Sequence, residues 1–430
     1  MGEAVSGSVR RSIAELPDLE ALFPESGAEA FSEDYAELFA LDAPIVRAGP
    51  HRVLVFRNAD LRAIAANPVV GNMSPGTRAN RDYLDRPTAG APPASAAADE
   101  DRAHLSRLYD NWIFTANPPI HGPTRNVFAR PLMPVFMPRF IAVADRIVLA
   151  LIDDVAGQGE IDFSFQFTER LAARLWGDFI GMTGEESERI VVAVRGMGPL
   201  FLQRRTPDEI RAMNAATGDY QHIIASAVER ALRAGTNAVL NDMAAEFDRI
   251  DVEGKPESLG MALASNLLDG FHTAALAATN AVYRLLQDPD ALAAVRENPA
   301  LVRNALAEGL RMTPPLIITY RSALEAFEYR GFSIPQGTPI GMLWAAGNRD
   351  PAVFDDPNSY RLMRQQHPNA TFGGGIHICP GRNVARVIID SVLRGLMSPG
   401  VAIELTGPVE WIPRSTMRQP IRMPVVISRS

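Results

Sequence analysis

A single cysteine, Cys379, occurs in 430 residues. That scarcity excludes an internal disulfide, and it excludes zinc and iron–sulfur centres, which need further thiolates; neither a C-x-x-C nor an H-x-x-E-H spacing is present. Lysine is equally scarce. Lys255 is the only one, so the basic side chains are otherwise all arginine, a bias that points to GC-rich coding and a bacterial source rather than to an activity. Positive charge is in deficit: the formal net charge of -8 argues against nucleic acid as a partner. Charges interrupt every apolar run well short of the ~18 residues a membrane-spanning helix needs. With no disulfide and no such run, nothing suggests export, and a cytoplasmic location is expected. The 47% apolar content is enough for a sizeable core, and no composition break divides the chain, so 1–430 is read as one domain.

Residues 1–42 are acidic and irregular. Ile45-Val46-Arg47 and Arg52-Val53-Leu54-Val55-Phe56 predict two short strands around the Gly49-Pro50 turn, followed by a helix from Ala59 to about Asn67. Residues 68–102, rich in Pro, Gly, Ala and Ser, predict a long, mobile connection. Helical periods dominate from Pro138 to about Ala234, broken near Gly157 and Gly159, at Gly181 and at Gly196-Met197-Gly198-Pro199. Pro256 and Glu257 open the longest helical stretch, ending near Gln287 before Asp288-Pro289. Beyond Met312 short β-branched and aromatic segments with Pro and Gly turns run to Asn348. The expected fold is mainly α with a minor β region.

The lone cysteine lies in Phe372-Gly373-Gly374-Gly375-Ile376-His377-Ile378-Cys379-Pro380-Gly381-Arg382, directly before an apolar helical segment that carries Arg386. Glycines let the backbone approach a flat ligand, and amide N–H groups near a helix N-terminus favour a thiolate. One sulfur is too few for any metal centre except haem, which needs a single axial protein ligand. The run resembles the haem-binding loop of the cytochrome P-450 family at Phe372, Gly373, Gly375, His377, Cys379, Gly381, Ala385 and Arg386. The resemblance implies that family's fold, with haem b between a long distal helix and the cysteine-loop helix, and Cys379 on the iron.

Further segments fit the resemblance. Glu308 and Arg311 form an E-x-x-R pair on one helix face before Pro314-Pro315, and Arg364 stands where the family has a third member of the set; the three are expected to be structural. His121-Gly122-Pro123-Thr124-Arg125 resembles the family's H-x-x-x-R. His121 and Arg125, with Arg321 and His377, are therefore expected to meet the haem propionates.

On the distal helix the family usually shows a small residue, a glycine, and an acid before a threonine. Here the run is Asp269-Gly270-Phe271-His272-Thr273, so Gly270 and Thr273 are kept, the glycine opening an oxygen groove, while His272 replaces the acid. Asp269, four residues before Thr273, shares its face and could supply the carboxylate; His272 could itself relay protons; or Thr273 could work with water. The resemblance further implies a distal pocket lined by residues of 68–102, the region of Gly198-Pro199-Leu200-Phe201, Leu267, Phe271, Leu316, Ile317, Ile318, Thr319, Thr416 and Met417. The activity it implies is a monooxygenase that inserts one atom of O2 into an apolar small molecule. No flavin or nicotinamide region follows Ser430, so electrons from NAD(P)H would arrive through a separate ferredoxin, docking near Arg382, Arg386 and Arg125. A peroxide-using or rearranging haem-thiolate enzyme, and a non-catalytic haem-bound carrier or sensor, are the competing readings.

Overall fold

The computed structural model describes residues 11–19, 35–41, 43–49, 51–72, 102–202, 205–365, 369–412 and 415–430. The predicted connection over 68–102 lies outside these from 73 to 101, as does most of the acidic N-terminal segment. The start of that connection is not a loop: Val70–Gly71 is a strand, paired antiparallel with Ser322 and Ala323.

The helix Leu259–Leu286 runs through the middle of the molecule. Ser258 caps it, its side chain accepting from the Met261 amide at 3.1 Å. Small and aliphatic residues follow on every face, and a helix apolar all round belongs in the interior. It is buried between the helices Pro207–Ala234, Glu169–Ile180, Val302–Met312 and Arg382–Leu396. A β-carbon on Gly309 would stand 3.0 Å from the Ala281 Cα, so glycine sets how closely the Val302–Met312 helix approaches. Pro207–Ala234, also 28 residues long, matches the central helix in length and corrects the expectation of one longest helix. Its Thr206/Glu209 capping box and the left-handed Gly235 at its end account for both boundaries.

The strands form small sheets around this helical mass. The largest has five, in the order Val46–Arg47, Val53–Val55, Pro339–Met342, Thr319–Ala323, Val70–Gly71. The two expected strands around residue 50 are thus an antiparallel pair within it, and Trp344–Gly347, expected as strand, is a helical turn. Three further strands that sequence reading did not separate, Glu160–Asp162, Val401–Leu405 and Pro424–Arg429, form one antiparallel sheet. No described helix is long and apolar enough to cross a membrane.

Candidate active site

The cysteine loop turns back on itself just before the Arg382–Leu396 helix. The Cys379 amide donates to the Phe372 carbonyl at 2.9 Å, and Arg382 Nη1 donates to the Cys379 carbonyl at 3.0 Å. Gly373 and Gly375 take the left-handed region, at φ 70° and 63°. At Gly375 space is even tighter than conformation: a β-carbon would lie 1.7 Å from the Ala65 carbonyl oxygen, a backbone atom that cannot swing aside. Gly375→Ala is therefore expected to shift the loop and to lower both melting temperature and haem retention; a variant that loads haem and melts like the parent would show that the loop is not held by this contact.

The Cys379 thiol lies in the wall of a cavity of about 250 Å³. Burial, reinforced by the charge of Asp269, pushes the thiol up to about 11. The Gly381 amide and the Arg125 and Arg382 guanidinium groups pull the other way and do not overcome it. Without a metal, desolvation of a buried anion outweighs one hydrogen bond and two partly screened cations. A cation bound to the sulfur restores the balance.

Cations and unpartnered donors gather beside the loop. The rings of His121 and His377 lie 4.2 Å apart, and Asn72 Nδ2 stands 2.9 Å from His377 Nε2. Burial and the nearby Arg321 and Arg125 depress both imidazoles, His121 to about 4 and His377 to about 2, so both are neutral. Arg125 bonds the Ile378 carbonyl. Arg321 is buried, spans the Phe114 ring and donates to the Tyr320 carbonyl; burial lowers it to about 10. Among the described residues neither arginine has a carboxylate partner, and His121 Nε2 is buried without any hydrogen bond. Arg321, buried, and Arg125, half-buried, both line the cavity, with the orphan His121 imidazole packed on His377 behind it, and a buried guanidinium without a carboxylate calls for an anionic ligand. A flat cofactor with two carboxylates, ligated through one sulfur, fits this set.

Glu308, Arg311 and Arg364 do come together. Arg311 Nε and Nη2 donate to the two Glu308 oxygens at 2.8 and 2.7 Å, and Arg364 Nε reaches Glu308 Oε1 at 3.0 Å. They lie outside the cavity wall.

Across the cavity from the loop, the central helix presents Asn266, Leu267, Asp269, Gly270, Thr273, Ala274 and Ala277. Asp269 and Thr273 share this face, and the Thr273 hydroxyl donates to the Asp269 carbonyl. His272 does not. One residue before Thr273 is 100° away around a helix, so its ring stacks on Phe201 at 4.9 Å and meets Gln419 Oε1 at 3.2 Å. Buried there it falls to about 4, off the face that Asp269 and Thr273 present to the cavity. Phe271 likewise turns away, edge-on to Tyr220 at 6.0 Å. Leu316 and Ile318 line the cavity and Ile317 does not, the alternation of an extended segment. The expected groove beside Gly270 is occupied: a β-carbon there would meet the Trp176 indole at 2.8 Å. Leu200, Phe201, Thr319, Thr416 and Met417 do line the cavity. Trp112, Trp176 and Tyr109 line it too and were not foreseen, since each comes from a segment with no motif of its own.

Comparison with known proteins fits this geometry. The Cytochrome P450 family model matches residues 212–398. The chain is 28% identical over 421 residues to cytochrome p450 CYP199A2 of Rhodopseudomonas palustris, covering 94% of this chain and 95% of that one. To 6-deoxyerythronolide B hydroxylase of Saccharopolyspora erythraea it is 27% identical, over 68% of this chain and 71% of that enzyme. Among solved structures, P450BioI in complex with an acyl carrier protein carrying hexadec-9Z-enoic acid superposes with a TM-score of 0.77 at 22% identity, covering 91% and 97% of the two chains. CalO2 also gives 0.77, at 24% identity over 92% and 95%. The fold is that of a haem-using, O2-using class of oxidoreductases. Over most of its length the chain is similar to cytochrome P450 proteins, among them monooxygenases and hydroxylases.

Proposed function

We propose that this chain inserts one oxygen atom of O2 into a predominantly apolar small molecule held in the cavity, with haem b ligated by Cys379 and electrons passed from NAD(P)H through a separate ferredoxin-type donor. The observation that carries this reading is that one cavity has the Cys379 sulfur in one wall, Thr273 and Asp269 in the other, and anion-seeking groups beside the sulfur. Haem, held by the Cys379 sulfur, would supply O2 activation. Phe372, Gly373 and Gly381 shape the loop; His121, Arg125, Arg321 and His377 would bind the propionates. Glu308, Arg311 and Arg364 hold the fold beneath. The domain would span 1–430. Arg382, Arg386 and Arg125, close to the exposed Ile376 and Ile378, would receive an acidic donor.

Proton handling falls to Thr273 and Asp269. Burial raises the Asp269 carboxyl to about 7, opposed only by the Trp112 hydrogen bond, so near neutrality it can both hold and release a proton. Asp269→Asn keeps the shape and removes the charge. It is expected to slow product formation or divert reduced O2 into peroxide, whereas His272→Gln changes the ratio of product to peroxide only modestly; the reverse order of effects would return the relay to histidine.

Oxygen uptake with substrate, NAD(P)H and a surrogate ferredoxin pair tests the activity. Product formed only from added peroxide would make the chain a peroxide user. Ligand binding with neither route to product would make it a carrier.

A further inference from the structure

Asp269 is deep in the protein yet partly accessible, because the space it touches is the cavity and not bulk solvent. Its Oδ2 accepts from Trp112 Nε1 at 3.2 Å. Its Oδ1 has no hydrogen-bond partner among the described residues, and no arginine or lysine pairs with it. Glu308 is buried against two arginines, whereas Asp269 faces an apolar chamber with, among the described residues, one acceptor oxygen free.

The surroundings of Asp269 are built rather than incidental. Asn266, one turn earlier on the same helix, accepts from the Ile113 amide at 2.9 Å and donates to the Asn111 carbonyl at 3.1 Å, so it clamps the turn that carries Trp112. The Thr115 hydroxyl ties the same turn from the other side, to the Tyr109 and Trp112 carbonyls, each at 2.8 Å. Trp112 is thereby fixed with its N–H on the carboxylate and its ring between Tyr109 and Phe114, at 5.7 and 5.3 Å. These rings line the cavity around Asp269. A carboxylate beside fixed aromatic faces is the chemistry that recognises an ammonium group: the carboxylate offsets its charge and the π faces receive its polarised methyl or methylene groups.

We propose that Asp269, oriented by Trp112, reads a positively charged nitrogen on an otherwise apolar substrate, so that the substrate class is an apolar amine held by its cationic end. This rests on the reading of the cavity as the substrate site. A neutral molecule of the same shape would leave the carboxylate unpaired in an apolar space, and burying a charge without a partner is the costly case. The amine is then the handle, and the apolar remainder is the part presented for oxidation.

The test uses the haem-loaded protein and two probes of one shape: a phenylbutyl tail bearing a trimethylammonium group, which cannot ligate iron, and its neutral tert-butyl isostere. Affinity is measured by equilibrium dialysis above pH ~7.5, where the raised Asp269 carboxyl is mostly ionised. The cation is expected to bind about tenfold more tightly than the isostere, an order typical of a desolvated ammonium against carboxylate and rings. Asp269→Asn is expected to abolish that preference, weakening the cation and relieving the cost that the unpaired carboxylate imposes on the isostere. Trp112→Phe removes the N–H that orients the carboxylate and keeps a ring, so it should lower the preference without abolishing it. A wild-type preference below about threefold, or a preference that survives Asp269→Asn, overturns the proposal. The ferrous–CO spectrum of the same preparations checks haem-thiolate ligation separately, so a protein with the thiolate band and no cation preference refutes this inference alone, and one without the band refutes the haem reading alone.

Discussion

Replacing Cys379 by alanine is expected to abolish the red-shifted Soret band of a thiolate-ligated ferrous–CO complex. The chain holds no second thiol that could take its place. The effect should be all-or-none, because the surroundings do not sustain the anion unaided: a thiol at about 11 is ionised on the order of one part in ten thousand at pH 7. Ligand and metal therefore stabilise each other, and loss of the sulfur removes both the bond and the reason for the loop's shape. The Phe372 carbonyl would still hold the amide of residue 379, so the folded chain should persist with haem bound loosely, if at all. Retention of the band in Cys379→Ala would end the haem-thiolate reading.

Glu308→Ala or Arg311→Ala should leave little soluble, haem-loaded protein. Both side chains are about 3% exposed. Arg311 spends its guanidinium on Glu308 and on the carbonyls of Asn348, Pro357 and Ser359. Glu308 in turn accepts from Arg311, Arg364 and the Arg361 amide. Removing either partner strands a buried charge, at a cost of roughly 3–5 kcal/mol, against total stabilities of about 5–15 kcal/mol. Arg364→Ala should be milder, since Arg311 still neutralises the carboxylate. Burial alone would raise Glu308, but Arg311, the Arg361 amide and Arg364 outweigh it and hold the carboxyl below its usual value. A depressed carboxyl contributes stability above its unfolded value, about 4.3, and loses it as pH falls through the folded one; the acid limb of a melting-temperature profile should be missing in Glu308→Gln. Should either alanine variant fold, load haem and lose only rate, the pair is catalytic and not structural.

Legibility in the sequence followed chain distance. The cysteine loop, the Glu308/Arg311 pair and the Asp269/Thr273 pair each lie within a few residues, and a backbone period settles which members share a face. Helices and the minor β region were read from the same periods, with boundaries moved by caps such as Ser258 and the helical turn at Trp344–Gly347. What could not be read was whatever depends on which way a face points. Asp269 and His272 are three residues apart on one helix and equally plausible as proton carriers on paper; packing of Phe201 and Gln419 takes His272 away and leaves Asp269 on the cavity. Phe271 and Ile317 were misplaced for that reason, and Trp176 filled the space at Gly270 that was expected to be open.

By itself the sequence singled out Cys379 as the candidate ligand, the class of cofactor it suits and the residues able to carry charge near it, because one contiguous loop encodes them through short-range geometry. Tertiary structure alone decided that Trp112 would meet Asp269 across 157 residues, that Asn72 would meet His377 across 305, and that a carboxylate would be left facing an apolar chamber. The physical reason is that a cavity wall is assembled from many segments whose relative placement depends on the packing of the whole core, and no local period records it.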